Sequence, residues 1–136
     1  MSFTGQQLST IRALADGILP RTVDTPSASD IFVPEIFVSI AESWDQATFS
    51  STAAALDAIN DLSLSTFGLP IQDLDEARLQ SMIALVVSIE QLTPFWEPFR
   101  LLITLNYYAL PPAYEAIGLP GPSIDKGGFT PDGFPV

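Results

Sequence analysis

Apolar residues recur every three or four positions along most of the chain, which is the period of an amphipathic helix. The first such run follows Thr4 and Gln7, whose spacing matches a capping box at a helix start. Gly17 weakens the last turn of this run, and Pro20 ends it. The pattern predicts a first helix over residues 5–18, with one apolar face formed by Leu8, Ile11, Leu14, Ala15 and Ile18.

A long loop is predicted directly after this helix. Residues 19–30, "LPRTVDTPSASD", contain two prolines and are rich in serine, threonine and aspartate, which favour turns over regular structure. A second helix should begin beyond the loop, because Pro34 and Glu35 suit a first helical turn. Its apolar face would comprise Ile36, Phe37, Ile40, Ala41 and Trp44.

Three further helices follow from the same reasoning. The third is predicted over about 46–66, capped by Asp45 and ended by Gly68. The fourth is capped by Asp73 or Asp75 and is almost entirely apolar over 82–89, which is typical of a central, buried helix. The fifth helix has Thr93 as its cap and Pro94 at its first position and reaches about residue 109. Within it, Pro98 either kinks the helix or shows that its regular part begins near Glu97.

The end of the chain has a different composition. A short helix is predicted to close on Gly118, and residues 119–136 then hold four glycines and four prolines. The sequence therefore predicts an all-α, single-domain bundle of about five helices over 1–118. An irregular tail without its own core is predicted over 119–136.

Composition favours binding over most kinds of chemistry. Apolar residues make up 47% of the chain and charged residues 15%, so a partner or a ligand cavity is expected to cover apolar surface. The net charge of −11 disfavours nucleic acid and anionic membranes as partners. The chain has no cysteine and no histidine, which removes thiolate metal sites and the commonest general base.

Segments for export or membrane insertion are also not apparent. The most apolar windows, 82–89 and 99–110, fall far short of the roughly 20 residues that a membrane-spanning helix needs. The first thirty residues lack the pattern of a secretory signal. We therefore expect a cytoplasmic protein as numbered, or a periplasmic one if an export signal has been removed.

Candidate functional residues concentrate in the fifth helix. Glu97 and Arg100 have the spacing of an ion pair, and nearby aromatic residues would partly desolvate it, although a purely structural pair is the favoured interpretation. A buried Asn106 amide would need hydrogen-bond partners. Tyr107 and Tyr108 point about 100° apart on a helix, so at least one should lie at an edge or in a contact surface. Partner contact and ordinary helix-end packing are equally open interpretations.

A second set of candidates flanks the long loop. Asp16, Asp24, Asp30 and Glu35 could supply two carboxylates that act together as acid and base. Aspartate at helix starts and turns is, however, what such positions prefer, so caps and solvated loop carboxylates are the favoured interpretation.

Two regions carry recognisable motifs. The first is "IRALADGILPRTVDTPSASDIFVPEIF" at 11–37, which contains Ile-Leu-Pro, Thr-Pro-Ser-Ala and Val-Pro-Glu. The second is "FRLLITLNYYALPPAYEAIGLPGP" at 99–122, which contains Ile-Thr-Leu-Asn-Tyr-Tyr followed by Ile-Gly-Leu-Pro-Gly. Together they resemble the signatures of the gluconate 2-dehydrogenase subunit 3 family, which has Ile-Leu-Pro, a Thr-Pro-Gly-Ala-like loop and Val-Pro-Glu, and later Leu-Thr-Leu-Gly-Tyr-Tyr followed by Leu-Gly-Tyr-Pro-Gly. The likeness covers most of residues 8–122. It departs from the family at Asn106, where a glycine is usual, and at 109–113, where a polar turn is usual.

The resemblance implies a small, cofactor-free helical subunit that binds a flavin-dependent sugar or alcohol dehydrogenase of the glucose-methanol-choline type and supports its maturation. FAD would then belong to the large subunit, and a cytochrome c subunit would often accept the electrons. The expected contact residues are Glu97, Arg100, Asn106, Tyr107, Tyr108 and Tyr114. The alternative is a stand-alone helical protein that binds a small apolar ligand, or a cofactor-free isomerase or cyclase, with the same residues lining a pocket.

Overall fold

The computed structural model describes residues 2–111, which form a bundle of helices around one apolar core. The α-helices are α1 (Gly5–Ile18), α2 (Val33–Ala41), α3 (Gln46–Phe67), α4 (Glu76–Ser88) and α5 (Thr93–Tyr108). Single 3₁₀ turns lie at Ser29–Ile31, Ile71–Asp73 and Glu90–Leu92. The prediction of an all-α fold with five helices is confirmed. The predicted helix closing on Gly118, and the boundary between residues 118 and 119, lie outside the described residues.

Local signals at the helix ends account for most of the bounds. Thr4 and Gln7 form the predicted capping box at the start of α1, with hydrogen bonds of 2.9 and 3.1 Å. Asp75 caps α4 by accepting from the backbone N–H of Arg78 at 2.9 Å, which decides between the two candidate caps. Gly68 ends α3 in the left-handed region, with φ of 75°. This is a conformation that glycine adopts without steric cost.

Two details of α5 differ from the prediction. Thr93 is already helical, with φ of −55° and ψ of −43°, and Leu92 occupies the capping position without a side-chain hydrogen bond. Pro98 lies inside the helix, so its regular part does not wait until Glu97 to begin. Because Pro98 is close to the start of α5, its missing N–H removes only one intrahelical hydrogen bond. That bond lies next to the first turn, whose N–H groups have no intrahelical acceptors in any helix.

The central helix of the bundle is α1, and the prediction that α4 is central is wrong. α1 packs against each of the other four helices, and Ile11, Leu14 and Ala15 are completely enclosed. α4 buries only Met82 and Val86, while Val87 is more than half exposed. An apolar sequence on all sides made α4 resemble a core helix, but which of its sides is covered depends on neighbours that are distant in the sequence.

Close packing and buried polar contacts fix the connection between α3 and α4. The backbone N–H of Ile71 donates to Asn60 Oδ1 at 2.9 Å, and the Ser63 hydroxyl donates to the carbonyl of Leu69 at 2.7 Å. These bonds satisfy buried polar groups that would otherwise be costly to remove from water.

Gly17 of α1 lies against Ile83 of α4 so closely that a β-carbon there would meet the isoleucine side chain. Over residues 2–111, no helix is long and apolar enough to cross a membrane.

Candidate interaction surface

The carboxyl half of α5 has one buried side and one exposed apolar side. Its buried side consists of Trp96, Phe99, Ile103 and Tyr107. On the opposite side, Leu101 and Leu105 are 51% and 59% exposed, and Tyr108 is 40% exposed. These three residues follow one another at four- and three-residue steps, so they form one continuous stripe. We call Leu101, Leu105 and Tyr108 the helix-5 face.

The two tyrosines at the end of α5 have different roles, as their 100° separation predicts. Tyr107 is only 2% exposed, and its hydroxyl donates to the carbonyl of Pro26 at 2.6 Å. Tyr108 lies at the surface and contacts the Tyr107 ring edge-on, with centroids 4.8 Å apart. Tyr107 is thus an internal brace between α5 and the long loop, and Tyr108 is the tyrosine available for contact. Burial raises the pKa of the Tyr107 phenol above its usual value, so it remains a hydrogen-bond donor.

The long loop after α1 is held by its own polar side chains. Arg21 binds both carboxylate oxygens of Asp30, at 2.7 and 2.5 Å, and Asp30 also accepts from the backbone N–H of Ser27 at 2.9 Å. Asp16 of α1 accepts from the backbone N–H of Ser29 at 2.7 Å. The side chain of Thr22 accepts from the N–H of Thr25 at 3.0 Å and closes the turn at the tip. These hydrogen bonds hold the loop in one conformation, where without them it would be flexible.

Electrostatics reinforce the Arg21–Asp30 pair. The hydrogen bond from the Arg21 guanidinium holds the pKa of the Asp30 carboxyl well below its usual range, and the Ser27 backbone N–H acts in the same direction. The same pair raises the pKa of Arg21. Both groups therefore stay charged across the physiological range, and their role is to brace the loop.

Two exposed apolar side chains lie in or at the end of this braced loop. Val23 is fully exposed at the tip, and Phe32 is 66% exposed just before α2. Phe32 has φ of 65° and ψ of 27°, and among residues 2–111 it is the one non-glycine residue with positive φ. For a bulky side chain, this left-handed conformation costs on the order of 1–2 kcal/mol. The sequence contains no signal for it, because the residues that normally adopt it are glycine and asparagine.

The predicted site residues of α5 do not converge on one point. Arg100 donates to Glu97 at 3.2 Å, but both side chains are about half exposed, so the predicted partial desolvation of this pair is wrong. Asn106 satisfies its amide within its own helix, donating to the carbonyl of Leu102 at 2.8 Å. Glu97 and Tyr107 are ten residues apart, which is about 15 Å along a helix. Tyr114 lies outside the described residues.

The loop carboxylates do not form an acid and base pair. Asp30 binds Arg21, Asp16 binds the Ser29 backbone, and Glu35 accepts from Arg12 at 2.5 Å across α1 and α2. Asp24 is exposed at the loop tip. The geometry therefore agrees with the favoured interpretation, in which these four side chains are caps and surface carboxylates.

Two surface depressions are too shallow and too poorly placed to form the predicted pocket. One, of about 280 Å³, lies between α3 and α5 and is lined by Ala47, Thr48, Ser51, Thr52, Pro94 and Phe95. The other, of about 220 Å³, lies between α1 and α2 and is lined by Leu8, Arg12, Pro34, Glu35 and Val38. Neither is lined by a predicted contact residue of α5, although Glu35, a candidate of the second set, lines the second depression. Within the part of the chain that the structure describes, no cluster of acidic side chains could hold a metal ion.

Comparison with known families decides the relationship that the motifs indicate. The family model described as gluconate 2-dehydrogenase subunit 3 matches residues 5–121. The chain belongs to the gluconate 2-dehydrogenase subunit 3 family. The resemblance drawn from the two motif regions is thereby confirmed. No curated protein and no solved structure matches the chain.

Membership of the gluconate 2-dehydrogenase subunit 3 family has one direct consequence. The family is named for a subunit of a dehydrogenase complex, which implies a dehydrogenase as a partner. The matched range spans all five helices, and it includes both the braced loop and the helix-5 face. These two features are therefore parts of the family domain.

Proposed function

We propose that this chain is a noncatalytic accessory subunit that binds an FAD-dependent dehydrogenase of the glucose-methanol-choline type and supports its maturation. The flavin and the catalytic groups reside in the large subunit, and a cytochrome c subunit is a further candidate member of the complex. The observation that carries the proposal is the match to a dehydrogenase subunit family over residues 5–121. The helix-5 face adds an apolar surface on which such a partner could bind.

The contacts within the chain are consistent with a binding role. Asp16 and Asp30 are engaged in holding the loop, and each of the four described arginines pairs with a carboxylate. The helix-5 face, by contrast, contributes little to the core, so its three large apolar side chains are available for another molecule. Large apolar side chains that cluster on one exposed surface are typical of protein interfaces. Within residues 2–111, the small-ligand alternative lacks support, because its described residues line neither surface depression.

Co-expression with the large flavoprotein subunit from the same genome tests the proposal. With an affinity tag on this chain, the flavoprotein should co-purify, and its yield and bound flavin should fall when this chain is omitted. Leu105→Glu should weaken binding roughly tenfold or more, because it puts a charge into a desolvated contact. Val87→Glu is the matched control, since Val87 is similarly exposed but lies on α4.

The result that would contradict the proposal is equally definite. It is refuted if the flavoprotein acquires the same flavin content and yield without this chain and does not co-purify with it. Equal binding by Leu105→Glu and Val87→Glu would instead remove only the assignment of the helix-5 face.

A further inference from the structure

Phe32 combines two features that do not serve the stability of this chain. Its backbone is in the left-handed region, with φ of 65°, and its ring is two-thirds exposed. Asparagine or glycine would relieve the backbone strain, because both adopt the left-handed region more readily than phenylalanine does. Within residues 2–111, the ring takes part in no aromatic pair and is not packed on the apolar core.

The frame around Phe32 is nevertheless rigid. Its backbone N–H donates to the carbonyl of Ser29 at 3.2 Å, and its own carbonyl accepts from Ile36 at 3.3 Å. The next residue, Val33, is completely buried and donates to the carbonyl of Ala28 at 3.0 Å. Neighbouring contacts therefore impose the strained backbone conformation and fix the direction in which the Phe32 side chain leaves the backbone.

The position of Phe32 links it to the carboxyl half of α5. Pro26 accepts from Tyr107 near the end of α5, and Phe37 contacts Phe99 near its middle, with ring centroids 4.8 Å apart. The chain from 26 to 37 therefore passes along the buried side of α5, which is opposite the helix-5 face. An anchor at Phe32 would be a second contact point, separate from that face.

We propose that Phe32 is a preformed anchor that inserts into an apolar pocket on a neutral or basic surface of the flavoprotein subunit. A side chain carried on a backbone that is already fixed adds no backbone ordering cost when it docks, and aromatic residues often dominate interface affinity. The net charge of −11 excludes a strongly acidic partner surface. The described arginines are already paired with carboxylates, which leaves the partner to supply positive charge. This assignment rests on the proposed function.

Phe32→Asn tests the anchor because it separates binding from stability. The variant should unfold at the same temperature as the unmodified chain or a higher one, since backbone strain is relieved and the lost ring is not packed on the core. Its affinity for the co-expressed flavoprotein subunit, measured by titration of the purified proteins, should fall at least tenfold. Leu64→Asn, which alters an exposed leucine on α3, should leave affinity unchanged. Higher ionic strength should slow association of the unmodified chain.

The possible outcomes distinguish the anchor from the proposed function. If the unmodified chain binds and Phe32→Asn binds equally well, the anchor is refuted and the accessory role stands. If Phe32→Asn loses stability and affinity together, Phe32 serves the fold and the anchor is again refuted. If the unmodified chain does not bind the flavoprotein subunit, both proposals fail. Retained stability with lost affinity, seen in Phe32→Asn and not in Leu64→Asn, supports the anchor.

Discussion

Replacing Tyr107 by phenylalanine should detach the long loop from α5 without disturbing the core. The substitution removes one oxygen, and the ring keeps its buried position and its edge-on contact with Tyr108. What is lost is the 2.6 Å hydrogen bond from the hydroxyl to the carbonyl of Pro26. The loop would then depend on its internal bonds, chiefly the pair between Arg21 and Asp30.

The size of the effect follows from the environment of this hydrogen bond. A hydrogen bond within a protein contributes about 0.5–1.5 kcal/mol net, and a buried acceptor left without a donor costs more. Because Pro26 is only half-buried, water can reach its carbonyl in part, so we expect a loss of about 1–2 kcal/mol. An unfolding entropy of roughly 2.1 cal/mol/K per residue makes 1 kcal/mol equivalent to about 3.5 °C for a chain of 136 residues. The Tm should therefore fall by about 4–7 °C.

Thermal unfolding and limited trypsin digestion together measure this change. Digestion is informative because Arg21 lies in the loop, and its cleavage should accelerate in Tyr107→Phe while cleavage after Arg78 at the start of α4 changes less. Tyr108→Phe is the matched control, since its hydroxyl is removed from an exposed ring and neither measurement should change. An unchanged Tm in Tyr107→Phe, or an equal fall in Tyr108→Phe, would refute the role of the hydroxyl as a brace.

The same variant carries a pH signature. Burial raises the pKa of Tyr107 above the usual 10.0, so the phenol stays protonated in the folded chain at pH values where the unfolded chain ionises. Its contribution to stability is complete below pH 10.0 and is lost as the pH rises through the folded-state pKa. The difference in Tm between the unmodified chain and Tyr107→Phe should therefore shrink in alkaline solution.

Two further substitutions test the loop brace and the end of α3. Asp30→Asn should lower the Tm at pH 7. Because the folded-state pKa of Asp30 is lowered, the difference in Tm from the unmodified chain should fade as the pH falls below about 3.8. Asp24→Asn at the loop tip should show no such pH dependence, and a pH-independent difference for Asp30→Asn would contradict the ion-pair explanation. Gly68→Ala should lower the free energy of unfolding by about 1 kcal/mol, because alanine must adopt φ of 75°. Gly5→Ala in the first turn of α1 should be neutral or stabilising. Chemical denaturation measures both variants, and equal effects would contradict the argument from φ.

Features of the fold that depend on residues close together in the sequence could be predicted from the sequence. The bounds of α1 follow from a capping box and an apolar face that lie within one short segment. The carboxyl end of α3 follows equally from Gly68, whose permissive backbone is a local property, whereas Asp45 at the other end makes no side-chain capping bond. Burial is different, because it depends on what packs against a helix. The second half of α4 is almost entirely apolar, and its packing against α1 and α5 determines that Met82 and Val86 are the residues it buries.

The candidate surface shows the same division. Helical geometry requires Tyr107 and Tyr108 to point in different directions, but their assignment depends on the carbonyl of Pro26, which lies 81 positions earlier. The prediction that Glu97 and Arg100 are partly desolvated is wrong, because their aromatic neighbours face inward while the ion pair faces outward. Phe32 was missed altogether, since its conformation is imposed by a short 3₁₀ turn and a buried valine and not by any preference of phenylalanine.

The use of polar groups explains why a contact surface accounts for this chain better than a reactive centre does. Acid and base chemistry needs a carboxylate that is free to exchange a proton, yet Asp30 and Asp16 bind the loop and Glu35 joins two helices. Two large apolar side chains, those of Leu105 and Phe32, are at the same time more than half exposed. This arrangement supports the proposed organisation of the chain around a surface that binds another protein. The lost affinity expected for Leu105→Glu, beside unchanged binding by Val87→Glu, is the observable consequence of that organisation.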